Sequence, residues 1–256
     1  MKIIEKKEVA SYIKDGDTVL ISGSGGSGSP EALIKSIMDS FLATKHPNNI
    51  TVSCGISPGN LTNDDVGMNM LAKEGLVGKA ICAHLGMGRV FGNAIGSNQF
   101  PAFAVPLGVI NHLYRAIAGH EVGIITHVGL GTFADPRIDG CCANEKAKKL
   151  EPIVELIELN GKENLFYHTF PVNVALLKAS YADEDGNISF QEEGIIGEQY
   201  NMAIAAHNSG GIVIVEVKGI KPKGSFRARD VLIHSSYVDY VVINEPTDEL
   251  GEYNIP

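Results

Sequence analysis

The chain lacks a surplus of basic residues, a long apolar run and the cysteine spacing that is typical of metal sites. It carries 21 Lys and Arg against 30 Asp and Glu, a net charge of −9. We therefore expect no nucleic-acid partner, because nothing offsets the phosphate charge. No apolar run approaches the roughly 18–20 residues of a membrane span, so no membrane partner is expected. The four cysteines, Cys54, Cys82, Cys141 and Cys142, form no CxxC pair, which favours reduced thiols over a disulfide or metal framework.

Two further absences concern the histidines and the amino-terminal residues. His84, His112, His120 and His127 show no HxH or HExxH spacing. We predict no metal site, because zinc needs three or four convergent ligands. Residues 1–8 contain no apolar core of a signal peptide, so a cytoplasmic location is expected.

Apolar runs alternate with helical patterns along the 256 residues. This alternation predicts an α/β fold with an open, mostly parallel sheet that helices cover on both faces. The turn at Asn160-Gly161 predicts a small added β-hairpin. Predicted strands are 19–21, 50–53, 77–84, 103–105, 123–126, 153–159, 165–170, 172–179, 188–190, 212–217, 231–233 and 238–243, and the last two are expected to complete the main sheet. Predicted helices are 6–14, the segment after residue 30 that ends near residue 44, a short one within 86–96, 107–118 and 195–208.

A glycine-rich segment follows the first of these strands, Val19–Ile21. Its four glycines are Gly23, Gly25, Gly26 and Gly28. Pro30 suits the first turn of the helix that follows, and Ser29 suits its N-cap. A strand, a loop without side chains and a helix N-terminus together predict a place for an anion or a developing negative charge.

The pattern Gly23-x-Gly25-x-x-Gly28 also fits the dinucleotide-binding fingerprint. That fingerprint requires an acidic residue at the end of the second strand, to hold the ribose hydroxyls. The second predicted strand ends instead in Ser53-Cys54-Gly55, which disfavours a nicotinamide or flavin enzyme. No Lys-Ser or Lys-Thr follows the glycines, which excludes a P-loop.

Several stretches resemble the family I CoA-transferases. The order Asp15-Gly16, Val19-Leu20-Ile21, Gly23 and Gly28-x-Pro30 is similar to the first signature of that family. Further stretches resemble the amino-terminal half of the acetate/propionate CoA-transferases: 54–60, 128–137, 181–187 and 208–215. The resemblance covers nearly the whole chain, and it implies one domain of the α type over residues 1–256.

The resemblance implies a fold shared with sugar-phosphate isomerases (NagB/RpiA/CoA-transferase-like) and a transfer of CoA between a short-chain acyl-CoA and a free carboxylate. In that family a glutamate attacks the thioester and becomes a glutamyl-CoA thioester, a step that needs a carboxylate nucleophile and amide donors. The glutamate belongs to the carboxy-terminal half or β subunit. We therefore expect no catalytic residue in this chain, a β subunit or C-terminal half as partner within an oligomer, and coenzyme A as a substrate with no permanently bound cofactor.

Two glutamate positions were considered as substitutes for that nucleophile. Glu31 is interpreted as a charge that complements the dipole of its helix. The motif Glu192-Glu193-Gly194 only superficially imitates the family's Glu-x-Gly. A basic run from Lys218 to Arg229 is interpreted as a solvated loop, with a patch facing CoA phosphates or a partner as the alternative.

The expected substrate-binding residues are those of the glycine-rich segment and two later loops: Gly23, Ser24, Gly25, Gly26, Gly28, Asn60, Leu107 and Gly108. Three positions depart from the family pattern. Ser24 replaces a Phe, Leu107 replaces a Gln that faces the substrate carboxylate, and Cys141-Cys142 replaces Gly-Lys. Because Leu107 offers no side-chain hydrogen bond, a more apolar substrate or a different carboxylate orientation is expected. A non-catalytic domain that binds a sugar phosphate or an acyl-CoA stays open as the alternative function.

Overall fold

A central sheet of eight strands dominates the computed structural model, which describes residues 1–244. In chain order, the strands of this part are β1 (Lys2–Ile3), β2 (Thr18–Ile21), β3 (Ile50–Ile56), β4 (Val77–His84), β5 (Ala102–Ala104), β6 (Gly123–Thr126), β7 (Val154–Leu159), β8 (Lys162–His168), β9 (Val174–Lys178), β10 (Tyr181–Asp183), β11 (Ile188–Ser189), β12 (Ile212–Val217), β13 (Gly219–Lys221), β14 (Val231–Ile233) and β15 (Tyr240–Ile243). The α-helices are α1 (Glu31–Thr44), α2 (Arg89–Gly96), α3 (Leu107–Ala118) and α4 (Gln199–Asn208). Short 3-10 helices span Lys6–Tyr12, Gly67–Leu71, Ala147–Lys149, Ala228–Asp230 and Ser235–Tyr237.

The strand order of the central sheet is β1-β15-β12-β9-β2-β3-β4-β5, and every neighbouring pair is parallel. β2 lies between β3, the next strand along the chain, and β9, which comes much later. The strand order therefore reverses beside β2. In open α/β sheets, ligands bind outside the carboxyl ends of the strands at such a switch point. The segment after β2 occupies this position.

Two hydrophobic clusters cover the two faces of the central sheet. Successive residues of β2 alternate between them: Leu20 belongs to one cluster, while Val19 and Ile21 belong to the other. The cluster around Leu20 includes α3 and α4, and the other includes α1 and α2. Because both faces are buried, the central strands are nearly continuous apolar runs, as expected for a parallel sheet.

Two small sheets accompany the central one. β6, β8 and β7 form a three-stranded antiparallel sheet, and β13, β10, β11 and β14 form a four-stranded one. The predicted hairpin is confirmed, since β7 and β8 are antiparallel neighbours. Asn160 and Gly161 have φ angles of 53° and 69°, the left-handed conformation that a tight hairpin turn requires.

Three local predictions were wrong. Residues 231–233 form β14, which pairs with β11 in the four-stranded sheet and does not extend the central one. Only Ile233 of this strand is buried, so it needs no cover on two faces. Helix α4 begins at Gln199 and not at Ile195, and the Ile195 side chain contacts Gly28 of the glycine-rich segment before the helix starts. Pro30 occupies the N-cap position of α1, and the Ser29 hydroxyl does not cap the helix.

Candidate functional site

The candidate site lies where the glycine loop, residues 23–28, leaves the carboxyl end of β2. Gly23, Gly25 and Gly28 have φ angles of 118°, 57° and 65°, which residues other than glycine rarely adopt. A Cβ on Gly23 would lie 3.1 Å from three atoms: the Gly28 oxygen, the Pro58 Cβ and the Ser29 Cα. Glycine is therefore required at position 23 by both its backbone angle and its neighbours.

A tight turn closes the glycine loop and leaves backbone donors at its tip. The Ser24 amide donates to the Ser27 oxygen at 2.9 Å, and the Ser27 amide donates to the Ser24 oxygen at 3.1 Å. Gly26 is exposed between them. Within residues 1–244 the amides of Gly26 and Gly28 donate no hydrogen bond. The loop therefore offers bare N–H groups to a ligand at the switch point.

The loop after β3 joins the glycine loop directly. The Gly59 amide donates to the Gly25 oxygen at 2.9 Å, so Asn60 is held beside the glycines. The Asn60 Oδ1 accepts hydrogen bonds from the Thr62 amide at 2.7 Å and the Asn63 amide at 3.1 Å. Because the side-chain oxygen of Asn60 accepts hydrogen bonds within its own loop, the side-chain nitrogen Nδ2 is the group that can donate to a substrate.

Leu107 and Gly108 lie at the same edge of the sheet but further along it. They begin α3, which follows β5, and β5 is three strands from β2. Neighbouring strands are about 4.8 Å apart, so this offset is roughly 14 Å. Leu107 is 43% exposed, and a Cβ on Gly108 would meet nothing within 4 Å. A hydrogen bond therefore joins the glycine loop to the loop of Asn60, whereas Leu107 and Gly108 follow a strand that is three places along the sheet from β2.

The N-terminus of α1 is not a free anion site, contrary to the expectation from the sequence. The Oε2 atom of Glu216 accepts hydrogen bonds from the Ala32 and Leu33 amides at 2.9 and 3.4 Å. The Lys178 Nζ and the Asn244 amide reach the other oxygen of Glu216 at 3.1 and 2.8 Å. A buried carboxylate of the protein therefore occupies the place that a phosphate would take. A charged residue inside the apolar run Ile212–Val217 was the sequence signal that could have revealed it.

The glutamates that the sequence singled out have structural contacts elsewhere. Glu31 Oε2 accepts a hydrogen bond from the Gly67 amide at 2.8 Å, and burial raises the pKa of this carboxyl group. Glu192 is exposed, bonds the Tyr181 hydroxyl at 3.0 Å and lies 3.7 Å from the Lys218 Nζ. Both carboxylates therefore stabilise the fold locally.

Glu198 is a functional candidate that sequence reasoning missed. It occupies the N-cap position of α4 but makes no side-chain bond to that helix. A Cβ added to Gly55, near the carboxyl end of β3, would lie only 2.6 Å from the Glu198 Oε1 atom. Glu198 and Gly55 are far apart in the sequence and share no motif, so the sequence gives no indication that they lie close together.

The cysteines carry no feature of a reactive pair in the described part of the chain. All four are free thiols. The Cys54 thiol donates to Cys82 at 3.1 Å, and this bond together with burial raises the pKa of Cys54. Burial raises the pKa of Cys141 to about 12, and it also raises that of Cys142. Because the thiolate is the reactive form, the adjacent pair is chemically quiet.

The basic run forms local contacts. Lys223 pairs with Asp185 at 2.9 Å, Arg227 bonds Asp230, and Lys221 lies 4.0 Å from the centre of the Tyr181 ring. In residues 1–244 no group of three or more metal-ligating side chains occurs. None of the helices in that range is long and apolar enough to cross a membrane.

Known proteins are similar to this chain over most of its length. Residues 4–244 match the family described as Coenzyme A transferase. A caffeate CoA-transferase of Acetobacterium woodii is 44% identical over 242 residues, which cover 94% of this chain and 45% of that protein. The acetoacetyl-CoA:acetate/butyrate CoA transferase alpha subunit of Clostridium acetobutylicum is 27% identical, and the match covers 94% of this chain and 97% of that subunit.

A solved structure shares both the fold and the sequence similarity. It is an acyl-CoA transferase (YdiF) from Escherichia coli O157:H7, determined as a thioester complex with CoA. Its TM-score is 0.91 at 32% identity, and the match covers 95% of this chain and 47% of that one. The chain therefore spans about half the length of the longer relatives and nearly the full length of the alpha subunit.

Proposed function

Since this chain belongs to the coenzyme A transferase family, we propose that it is the α-type half of an enzyme that moves CoA between a short-chain acyl-CoA and a free carboxylate. The partner is a β subunit or a carboxy-terminal half, and it supplies the nucleophilic glutamate. The relatives support both arrangements, because they include an alpha subunit of matching length and chains about twice as long.

The observation that carries this proposal is the pair of unused amides in the glycine loop. Gly26 and Gly28 present N–H groups at the switch point of the sheet, and Asn60 lies beside them. We assign the glycine loop residues Gly23, Ser24, Gly25, Gly26 and Gly28, together with Asn60, to one wall of the acyl pocket. Leu107 and Gly108 are assigned to another part of the substrate surface, since β3 and β4 lie between β2 and the strand that precedes them.

In the proposed chemistry this chain supplies one wall of the acyl pocket and backbone N–H groups that donate hydrogen bonds. The partner's glutamate attacks the thioester carbonyl, and CoA leaves as a thiolate while a mixed anhydride forms. The thiolate then attacks the glutamyl carbonyl of the anhydride, which releases the first carboxylate and leaves a glutamyl-CoA thioester. Each attack places a negative charge on a carbonyl oxygen, and fixed N–H groups stabilise such a charge without reorganising.

The alternative is a non-catalytic domain that binds a sugar phosphate or an acyl-CoA, and the absence of a nucleophilic glutamate from this chain motivates it. A phosphate would lack one place to bind, because Glu216 already accepts the hydrogen bonds of the first α1 amides. Tight binding of a small anion by the isolated chain, with no partner recovered in pull-down experiments, would restore it. The cytoplasmic location, the oligomer and the lack of a permanent cofactor stay predictions.

The test is to co-express the chain with the product of the neighbouring reading frame and to measure CoA transfer from acetyl-CoA. The acceptors are acetate in labelled form, butyrate and caffeate, because these acids occur in the names of the relatives. We expect transfer that requires both halves, and a glutamyl thioester in the partner that borohydride traps. The proposal fails if no associated chain carries a glutamate that can be trapped in this way.

A further inference from the structure

Within residues 1–244, the Glu198 carboxylate near the switch point has no hydrogen-bonding or ion-pair partner. Glu198 is partly buried, and residues next to it contact the glycine loop. A Cβ on Gly28 would lie 3.3 Å from the Ile195 Cγ2 atom and 3.5 Å from the Gln199 Nε2 atom. The segment from Ile195 to Gln199 therefore crosses the glycine loop, and Glu198 lies between this loop and the carboxyl end of β3.

The Glu198 carboxylate makes no charge-neutralising contact with the part of the chain that the structure describes. Across residues 1–244 its carboxylate forms no hydrogen bond and no ion pair. It is also not used by its own helix, although an N-cap side chain commonly accepts a bond from the first helical amides. A negative charge is favoured near a helix N-terminus, so α4 supports the charge without neutralising it.

The chain makes room for this carboxylate. Gly55 has no side chain, and a Cβ there would lie 2.6 Å from the Glu198 Oε1 and 3.0 Å from its Cδ. Gly55 does not have a left-handed φ angle, so its backbone does not require glycine. What Gly55 provides is the space that Glu198 fills.

We propose that Glu198 is a specificity-determining residue, whose uncompensated carboxylate excludes acyl groups that carry a second, terminal carboxylate. This inference rests on the proposed function, because it takes the glycine loop as the acyl wall. Two carboxylates roughly 5 Å apart repel each other strongly at an effective dielectric constant of about 20. An acyl group with an apolar end meets no such penalty. The preferred substrate class is therefore monocarboxylic acyl-CoA.

The experiment compares two ligands that differ only at the end of the acyl chain. They are the thioether analogues of butanoyl-CoA and succinyl-CoA, which cannot undergo transfer. Their dissociation constants are measured by calorimetry on the chain with its partner half, for wild type, Glu198→Gln and Glu192→Gln. The last variant removes the same charge from an exposed position shortly before that segment. It serves as the matched control.

We expect Glu198→Gln to reduce the wild-type preference for the butanoyl analogue by about tenfold or more, as the Coulomb term predicts. The control variant should keep the wild-type ratio. An unchanged ratio in Glu198→Gln overturns the inference, and so does wild type that binds the succinyl analogue as tightly as the butanoyl analogue.

Turnover assays of the same variants separate this inference from the proposed function. If wild type binds the analogues with the expected ratio but transfers no CoA, the proposed function fails and the role of Glu198 stands. If Glu198→Gln loses transfer equally for all acyl groups and no longer yields a thioester trapped by borohydride, Glu198 is a nucleophile. That result overturns the inference.

Discussion

Two glycines with similar backbone angles differ in what surrounds them. Gly28 in the glycine loop has a φ of 65°, and Gly131 has a φ of 71°. A Cβ at position 28 would meet the Ile195 Cγ2 at 3.3 Å, whereas one at 131 would meet nothing within 4 Å. An alanine at either position suffers the same left-handed strain, on the order of 1–2 kcal/mol. Only at position 28 does it also move the candidate site.

We therefore expect Gly28→Ala to lower kcat/KM of CoA transfer by tenfold or more, since small displacements of positioned groups cost about that much. Gly131→Ala should lose similar stability but keep its kcat/KM near wild type. The measurement is steady-state kinetics on the assembled enzyme, with urea denaturation in parallel. Equal kinetic losses in both variants would show that the glycine loop has no special role.

At this scale the sequence revealed residues that belong to a local motif and missed those that come together by folding. The spacing of the glycines identified the loop, and the structure places Asn60 beside it. Glu198 is absent from the prediction because its neighbour Gly55 lies far from it in the chain. A single sequence contains no pattern that reports such a contact.

The first turn of α1 depends on a buried ion pair from two other elements. Lys178 at the end of β9 and Glu216 on β12 have side chains that are 8% and 1% exposed, and their charged atoms are 3.1 Å apart. Glu216 also accepts hydrogen bonds from the first amides of α1. The helix and the two strands are therefore connected through one carboxylate.

Lys178→Met leaves that buried carboxylate without its cation, and we expect a loss of about 3 kcal/mol in the free energy of unfolding. Urea denaturation measures this loss. Lys148→Met is the control, because it removes an exposed pair with Glu145 that solvent screens. Its denaturation midpoint should stay close to that of wild type. Similar midpoints for both variants would contradict a structural role of the Lys178–Glu216 pair.

Predictions for whole elements succeeded where the periodicity is long and clear. The bounds of β4, β6, α3 and β12 agree with those predicted from the sequence, and α1 ends at the predicted residue. β14 was assigned to the wrong sheet, because a run of three apolar residues does not say which strand it will pair with. The first turn predicted for α4 is instead occupied by the segment that crosses the glycine loop.

The two hydrophobic clusters share six central strands, β2, β4, β5, β9, β12 and β15, although helices from different parts of the chain cover them. Ile37 of α1 is fully buried in one cluster, and Met202 of α4 is fully buried in the other. Since successive residues of each strand face opposite clusters, neither cluster can lose its strands without exposing the other. If residues 1–256 form one domain, as predicted, they unfold in a single transition.

Ile37→Ala and Met202→Ala should each lower the free energy of unfolding by about 2–5 kcal/mol. We expect both to shift one and the same urea transition, followed by far-UV circular dichroism and by tyrosine fluorescence, since the chain has no tryptophan. Leu42→Ala, at a position that is 54% exposed on α1, is the control with little effect. Two transitions, each moved by only one variant, would show two independently unfolding domains.

The place of β2 beside β9 has a consequence for the nascent chain. One of the two sheet neighbours of Thr18–Ile21, Val174–Lys178, is synthesised about 150 residues after it. Until then one side of β2 is an unpaired edge with an apolar sequence, the kind of surface that recruits other chains. We therefore expect the yield of folded protein to depend on how long the unpaired edge of β2 stays exposed during translation, and on whether a chaperone covers it.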